Sequence, residues 1–337
     1  MMKLKPLTLG ILMAGLAAST AHACTSIAWN TEEHGTITSR TNDWMEGTNP
    51  RLGGIVKGES RFIQGPNTGT QYTVKYDAVA VLPYGLDLVH DGVNSEGLQI
   101  NTLYYRAMTM DDVSKESQIS QLSMSEYILT QYASVAEAVE ALPTLDYAYL
   151  ALDGMPADIV LHWSITDKSG DRAVIEMDPD GLKIYRGEEA AVMTNDPSMQ
   201  EHIDNLKEVK PSWESADRNL AFGSNGNSAS RSRFVHASYF LNWLDEPSSA
   251  FNGMMKLATV PYRVPADAPY MDFGAGMTGY ATEWTLSQSL ETGDSVFEYN
   301  FGENWNTVRF NVYELMGQSF EASLTTSDMG QLNVVKL

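Results

Sequence analysis

Ala21-His22-Ala23-Cys24-Thr25-Ser26-Ile27-Ala28-Trp29, joined through Glu32-Glu33-His34-Gly35 to Thr36-Ile37-Thr38-Ser39-Arg40-Thr41-Asn42-Asp43, is the stretch on which the fold turns. Thr25 to Trp29 reads as a short strand, Glu32 to Gly35 as a turn, and Thr36 to Arg40 as a return strand rich in β-branched residues. The segment predicts a hairpin. Antiparallel pairing across its turn brings Cys24, at one strand end, close to Arg40 near the far end of the partner. Upstream, Lys3 and Lys5 precede an apolar run from Leu7 to Ala18, and Ala21 and Ala23 place small residues at −3 and −1 of the next bond. This is the pattern of a cleaved secretory signal over residues 1–23, too short to span a membrane. The expected mature chain is a single domain, residues 24–337, periplasmic or secreted, with no membrane association. Loss of Lys3 and Lys5 takes the formal net charge from −21 to −23.

Cys24 is the only cysteine, so an intrachain disulfide is impossible. An odd cysteine in an exported chain signals intermolecular pairing, a lipid anchor or a reactive thiol. Lipoprotein signals usually carry a Leu-like residue at −3, where this chain has Ala21. A lipid-anchored binding protein nevertheless stays as the reading from another class. For the reactive thiol, a free cysteine has a pKa of about 8.5, and the thiolate is the working nucleophile. An N-terminal cysteine brings its own base, because an α-amine titrates near pH ~8. Such a centre further needs a cation for the thiolate, a carboxylate for the amine and donors for the oxyanion. Arg40 and Asp43 offer the first two, although alone they read better as a surface pair or a turn stabiliser.

The 337 residues are 43% hydrophobic and 19% charged, which suits a packed core. The acidic balance argues against a nucleic-acid partner. Ala78–Leu82, Gly97–Leu103, Glu283–Ser287, Val296–Tyr299 and Thr307–Val312 read as strands. Leu161–Thr166 and Ala173–Met177 flank a hairpin turn at Lys168-Ser169-Gly170-Asp171. Ser123–Tyr132, Ser198–Leu206 and Ser232–Leu241 read as helices, and another starts at Ser134, capped with Glu137, and stops at Pro143. Hairpins outnumber βαβ units, so the fold class is α+β with antiparallel sheets and helices on their outer faces. The six His are scattered, without metal-site spacing. Gly274-Ala275-Gly276-Met277-Thr278-Gly279 precedes a strand-like run rather than a helix, and reads as a loop rather than a dinucleotide site. No metal or cofactor is expected.

Cys24 at the mature start, with Arg40 and Asp43 sixteen and nineteen residues on, resembles the choloylglycine hydrolase family. That family holds bile salt hydrolases and penicillin V acylases and belongs to the N-terminal nucleophile hydrolases. Four further segments are similar to it: Asp91 to Leu98, the Leu161–Glu176 hairpin, Thr194-Asn195-Asp196-Pro197, and the Gly226–Val235 segment with Ser232-Arg233-Phe234. The resemblance implies an αββα four-layer sandwich with two antiparallel sheets between helix layers, a small-molecule amide substrate and a homotetramer. It also implies roles: Cys24 as nucleophile with its amine as base, Arg40 holding the thiolate, Asp43 binding the amine, Asn195 donating to the oxyanion and Arg233 completing the charged cluster. Tyr104 stands where bile salt hydrolases carry Asn, as in penicillin V acylases, and its backbone N–H is a second expected oxyanion donor. Trp44, Met45 and Tyr104 are candidates for an apolar acyl pocket. The implied activity is an exported penicillin V acylase that also cleaves N-acyl-homoserine lactones, with conjugated bile salt hydrolysis as the alternative. A ligand-binding pseudoenzyme is disfavoured by the intact set of residues.

Overall fold

The computed structural model describes residues 24–63, 70–110, 119–155, 158–214, 229–264, 281–301, 306–325 and 334–336. The expected signal segment, the Gly274–Gly279 loop and the start of the Gly226–Val235 segment lie outside them. β1 (Thr25–Asn30) and β2 (Thr36–Trp44) form the expected hairpin, with Ser26 opposite Arg40 and Thr25 opposite Thr41. Gly35, at φ 68, supplies the left-handed turn residue that a side chain would strain. β2 runs on past Arg40 to Trp44, so the Arg40–Asp43 motif lies on the strand itself. Alternation then separates two faces: Arg40, Asn42 and Trp44 on one, Thr41 and Asp43 on the other.

β2 also pairs with β11 (Ala281–Ser289), and β1 with β10 (Val192–Thr194). β12 (Asp294–Tyr299), β13 (Asn306–Asn311) and β15 (Val334–Lys336) extend this first sheet, in the order β10-β1-β2-β11-β12-β13-β15. Within this sheet, among the described residues, only the β13–β15 pair is parallel. The second sheet is built from β3 (Arg51–Ile55), β4 (Ala78–Leu82), β5 (Asp91–Asn94), β6 (Gln99–Tyr104), β7 (Leu161–Thr166), β8 (Arg172–Asp178), β9 (Gly181–Arg186) and β14 (Glu321–Ser323). Its order is β9-β8-β7-β6-β5-β4-β3-β14, antiparallel throughout.

The two sheets face each other. Leu52, Val79, Val81 and Val93 of one pack against Trp284, Leu286 and Phe297 of the other. A polar seam runs beside this apolar patch: Ser26 Oγ meets Ser164 Oγ at 3.1 Å, and Gln99 Nε2 donates to Thr38 Oγ1 and to Gln288 Oε1. Pairing these groups removes the penalty of burying them. Helices close the outer faces. α1 (Gln121–Gln131) and α2 (Val135–Ala141) cover the second sheet through Met124, Ile128, Leu129, Val135 and Ala138. α3 (Met199–Val209), α4 (Ser230–Asn242) and α5 (Ala250–Ala258) cover the first through Met199, Ile203, Phe234, Met254 and Leu257. The αββα sandwich and its α+β class are therefore present. The expected capping at Ser134 is present, its side chain accepting from Glu137 N at 3.2 Å, while Glu137 Oε2 takes Ala133 N instead of closing back on Ser134.

Candidate active site

Cys24 precedes β1 and is 3% exposed. β-register sets it beside the last residues of β2: Asp43 N lies 3.4 Å from Sγ, Asp43 O 3.6 Å and Asn42 Oδ1 4.0 Å. Burial pushes the thiol up to about 11, against the lowering pull of Arg40 and with Asp43 adding to the rise. At neutral pH this chain therefore carries a protonated thiol, and ionisation needs more positive charge than Arg40 and Arg233 now supply.

Arg40 is buried between the sheets. Its Nε lies 3.1 Å from Asp91 Oδ1, Nη1 donates to Asn42 Oδ1 at 2.9 Å, and Nη2 donates to Thr102 O at 2.5 Å. The guanidinium stacks over Trp284, 4.3 Å from the ring centroid. It does not touch the sulfur; it acts on the thiol by its field and through Asn42. His90 stands at its side, with Nδ1 3.1 Å from Nη2 and against Asp91 Oδ2, and burial lowers its pKa.

Asp43 points to the opposite face of β2 and is wholly buried. Neither carboxylate oxygen has a hydrogen-bond donor among the described residues. The Thr282 and Thr41 hydroxyls come near enough to favour the ionised form without reaching hydrogen-bond geometry. Burial pushes Asp43 up to about 7, against the lowering pull of Arg233. A buried carboxylate of this kind calls for a cationic donor.

Arg233 comes from the first turn of α4 and is 1% exposed. It donates to the Cys24 carbonyl, to Thr25 Oγ1 at 2.8 Å and to Asn195 Oδ1 at 3.0 Å. That fixes the Asn195 amide, whose Nδ2 faces the opposite way and donates to Tyr104 O at 2.8 Å. Two residues given no role by the sequence hold the Asn195 backbone: Ser230 Oγ, inside the Gly226–Val235 segment, donates to its carbonyl at 2.8 Å, and His202 Nε2 lies 2.8 Å from the same oxygen. Burial drives His202 down to about 3, so its ring is neutral and Nε2 carries the proton. Asp196 ties the same corner to the segment after β6, accepting from Arg106 N and Ala107 N.

A cleft opens over Cys24. Its walls include Trp44, Tyr84, Tyr104, Leu122, Ile159 and Trp284, and they are mostly apolar. Trp44 and Tyr104 rings lie 5.8 Å apart, and Trp44 Nε1 donates to Tyr84 Oη at 2.5 Å. Met45 stands on the bend after β2, half-buried and outside the residues that line the cleft. The structure thus gathers Cys24, Arg40, Asp43, Asn195, Arg233, Trp44 and Tyr104 around one point. It adds Asn42 and Asp91, which lie inside quoted segments but were given no role, and Glu283 and His90, which lie in no motif. Among the described residues no cluster of His, Cys, Asp and Glu is arranged to hold a metal.

The family described as "Linear amide C-N hydrolases, choloylglycine hydrolase family" matches residues 24–320. The chain belongs to the choloylglycine hydrolase family. Within it, the chain is 25% identical over 245 residues to a penicillin V acylase of Pectobacterium atrosepticum, covering 69% of this chain and 63% of that protein. It is 26% identical over 121 residues to a bile salt hydrolase/transferase of Clostridium perfringens, covering 35% of this chain and 36% of that one. The chain therefore spans less than two thirds of either relative. Among solved structures, the penicillin V acylase of Agrobacterium tumefaciens superposes with a TM-score of 0.72 at 23% identity, over 86% of both chains. A conjugated bile acid hydrolase of Clostridium perfringens also gives 0.72, at 18% identity, over 93% of this chain and 99% of that one. At these identities the two superpositions establish the choloylglycine hydrolase fold.

Proposed function

We propose that this chain is an N-terminal cysteine amidase, activated by cleavage after Ala23. The observation that carries the reading is a buried thiol at an apolar cleft, with a buried carboxylate, Asp43, behind it that has no donor among the described residues. Freeing the Cys24 nitrogen as an ammonium would give Asp43 its missing partner. The same charge lowers the thiol pKa from its raised position. The amine, once neutral, takes the thiol proton, and the thiolate attacks the amide carbonyl. Asn195 Nδ2, with its second hydrogen, and a backbone N–H near Tyr104 serve the oxyanion. The amine returns the proton to the leaving nitrogen, and water then cleaves the thioester to restore the thiol. Arg233 keeps the Cys24 carbonyl and Asn195 in place through the cycle.

The cleft suits an aryl or alkyl acyl group, because apolar area is what its walls offer. With Tyr104 at the junction, we place penicillin V and long-chain N-acyl-homoserine lactones ahead of glycine- or taurine-conjugated bile salts. A homotetramer is part of the same proposal, checked by gel filtration of the processed chain. A panel of the three amide classes, reported as kcat/KM, tests the ranking. Higher values for bile salts would move the assignment to choloylglycine hydrolysis. Cys24→Ser is expected to lose nearly all turnover of every substrate, since an alcohol is far less acidic than a thiol. Retained turnover in that variant would end the mechanism.

A further inference from the structure

β11 does not meet β2 in a regular ladder. Thr282 lies opposite Asp43 and Trp284 opposite Asn42, so Glu283 is an extra residue in a β-bulge. The insertion switches the alternation: Thr282 shares the face of Asp43, and Trp284 shares that of Asn42 and Arg40. Glu283 itself is fully buried. Its carboxylate accepts from Thr48 N at 2.6 Å, Thr48 Oγ1 at 2.7 Å and Asn42 Nδ2 at 3.1 Å. Burial pushes it up to about 7, against the lowering effect of Thr48 and Asn42. A buried carboxylate is costly, and a bulge that exists to aim one at two site segments has a job there.

The job follows from the chemistry of Asn42. A carboxylate only accepts, so the NH₂ end of the amide must face Glu283. That leaves Oδ1 facing Arg40 Nη1 and the Cys24 sulfur. Thr48, held by the same carboxylate, is a wall of the cleft. We propose that Glu283 is a positioning residue for hydrolysis: it fixes the Asn42 amide with its oxygen toward Arg40 and Cys24, and it anchors the Thr48 wall of the acyl cleft. This rests on Cys24 being the nucleophile.

Glu283→Gln tests it without changing shape. The new NH₂ opposes either Asn42 Nδ2 or the Thr48 N–H, so one of the two anchored segments loses its acceptor. The expected loss in kcat is about 10- to 100-fold, the kinetic equivalent of one charge-assisted hydrogen bond, with KM changed less than threefold. Asn42→Asp provides the complement. Alone it sets two carboxylates face to face; combined with Glu283→Gln it restores a donor–acceptor match. The double variant is expected to exceed Asn42→Asp alone by at least tenfold in kcat, and to melt at a higher Tm. Glu283→Gln with kcat within twofold of the unaltered enzyme, or losses in the two variants that simply multiply, would overturn the proposal. If the unaltered chain hydrolyses no amide, the functional reading fails instead, and the Tm coupling still judges the donor–acceptor match.

Discussion

Two residues carry the electrostatics of the site, and both are displaced from their ordinary titration ranges. Asp43 is held up to about 7 from 3.8, and Glu283 to about 7 from 4.5, with burial the first cause of each. Between the unfolded and folded values the folded chain binds more protons. The stability these groups contribute is therefore fully present below about pH 4 and falls as pH rises through about 7. For a chain with the Ala23–Cys24 bond intact, urea midpoints should drop between about pH 5 and pH 7.5. Asp43→Asn should flatten that drop, because an amide does not titrate. Equal slopes in the two chains would remove Asp43 from the account. At this scale the sequence was partly legible: Cys24, Arg40 and Asp43 sit in one short motif, and a signal-like segment marks the first of them. Asn42 and Asp91 lie inside quoted segments, but their roles, like those of His202 and Glu283, were not legible, because their partners lie on other strands and helices and no local pattern records long-range register. Met45 shows the converse limit: adjacency to Trp44 in sequence does not carry a side chain into the cleft.

Among elements, hairpins and capped helices were readable because turn and cap residues act locally. α3 runs from Met199 to Val209 with Ser198 as its cap, against a reading of Ser198–Leu206 as helix, and α4 runs from Ser230 to Asn242, two residues earlier than the reading from Ser232. β3 and β9 escaped it. β3 lies in the Thr48–Pro66 stretch and carries Gly53 and Gly54, which weaken any strand signal. β9 is a half-exposed edge with no buried face to impose alternation. α5 was missed as well, between Pro247 and Pro261. The close approach of α1 to β5 gives a test at this scale. A Cβ on Gly92 would stand 2.7 Å from Leu129 Cδ2 and 2.9 Å from the backbone oxygen of Val79. Gly92→Ala is expected to cost about 1–3 kcal/mol in urea unfolding, the usual range for overpacking. Since Gly92 adjoins Asp91, turnover should fall with it; a variant as stable as the original would show that β5 can shift freely.

On the proposed mechanism, burial works as a safety catch for the whole molecule. With its nitrogen in a peptide bond, Cys24 keeps a thiol that burial holds up at about 11, and Asp43 has no donor among the described residues. A processed chain and one retaining a single extra residue before Cys24 should therefore differ in alkylation. The processed form is expected to react with iodoacetamide at least tenfold faster at pH 7, with its apparent thiol pKa lowered by a unit or more, about 1.4 kcal/mol of added stabilisation of the thiolate. Equal rates would show that the amine does not influence the sulfur. The α+β class with antiparallel sheets followed from counting hairpins against helices, and the four-layer sandwich from the family resemblance; the order of strands within each sheet followed from neither, because pairing partners such as β2 and β11 are far apart along the chain.

That last pairing sets a timetable for assembly. The residues around the sulfur come from both ends of the polypeptide: Cys24 and β2 from its start, Asn195 and Arg233 from its middle, and Glu283 from near its end. Contacts of such wide sequence separation form late in folding, after most of the loop-closure entropy has been lost. A nascent chain emerging from its N-terminus displays its only cysteine first, yet the machinery to use it arrives last. Truncations that stop before Ala281 remove the strand that pairs with β2 and should show no hydrolysis, and in refolding of the full chain from urea hydrolysis should appear with the slowest phase. On the proposed mechanism, reactivity would wait on the arrival of β11 and Glu283 as well as on cleavage after Ala23.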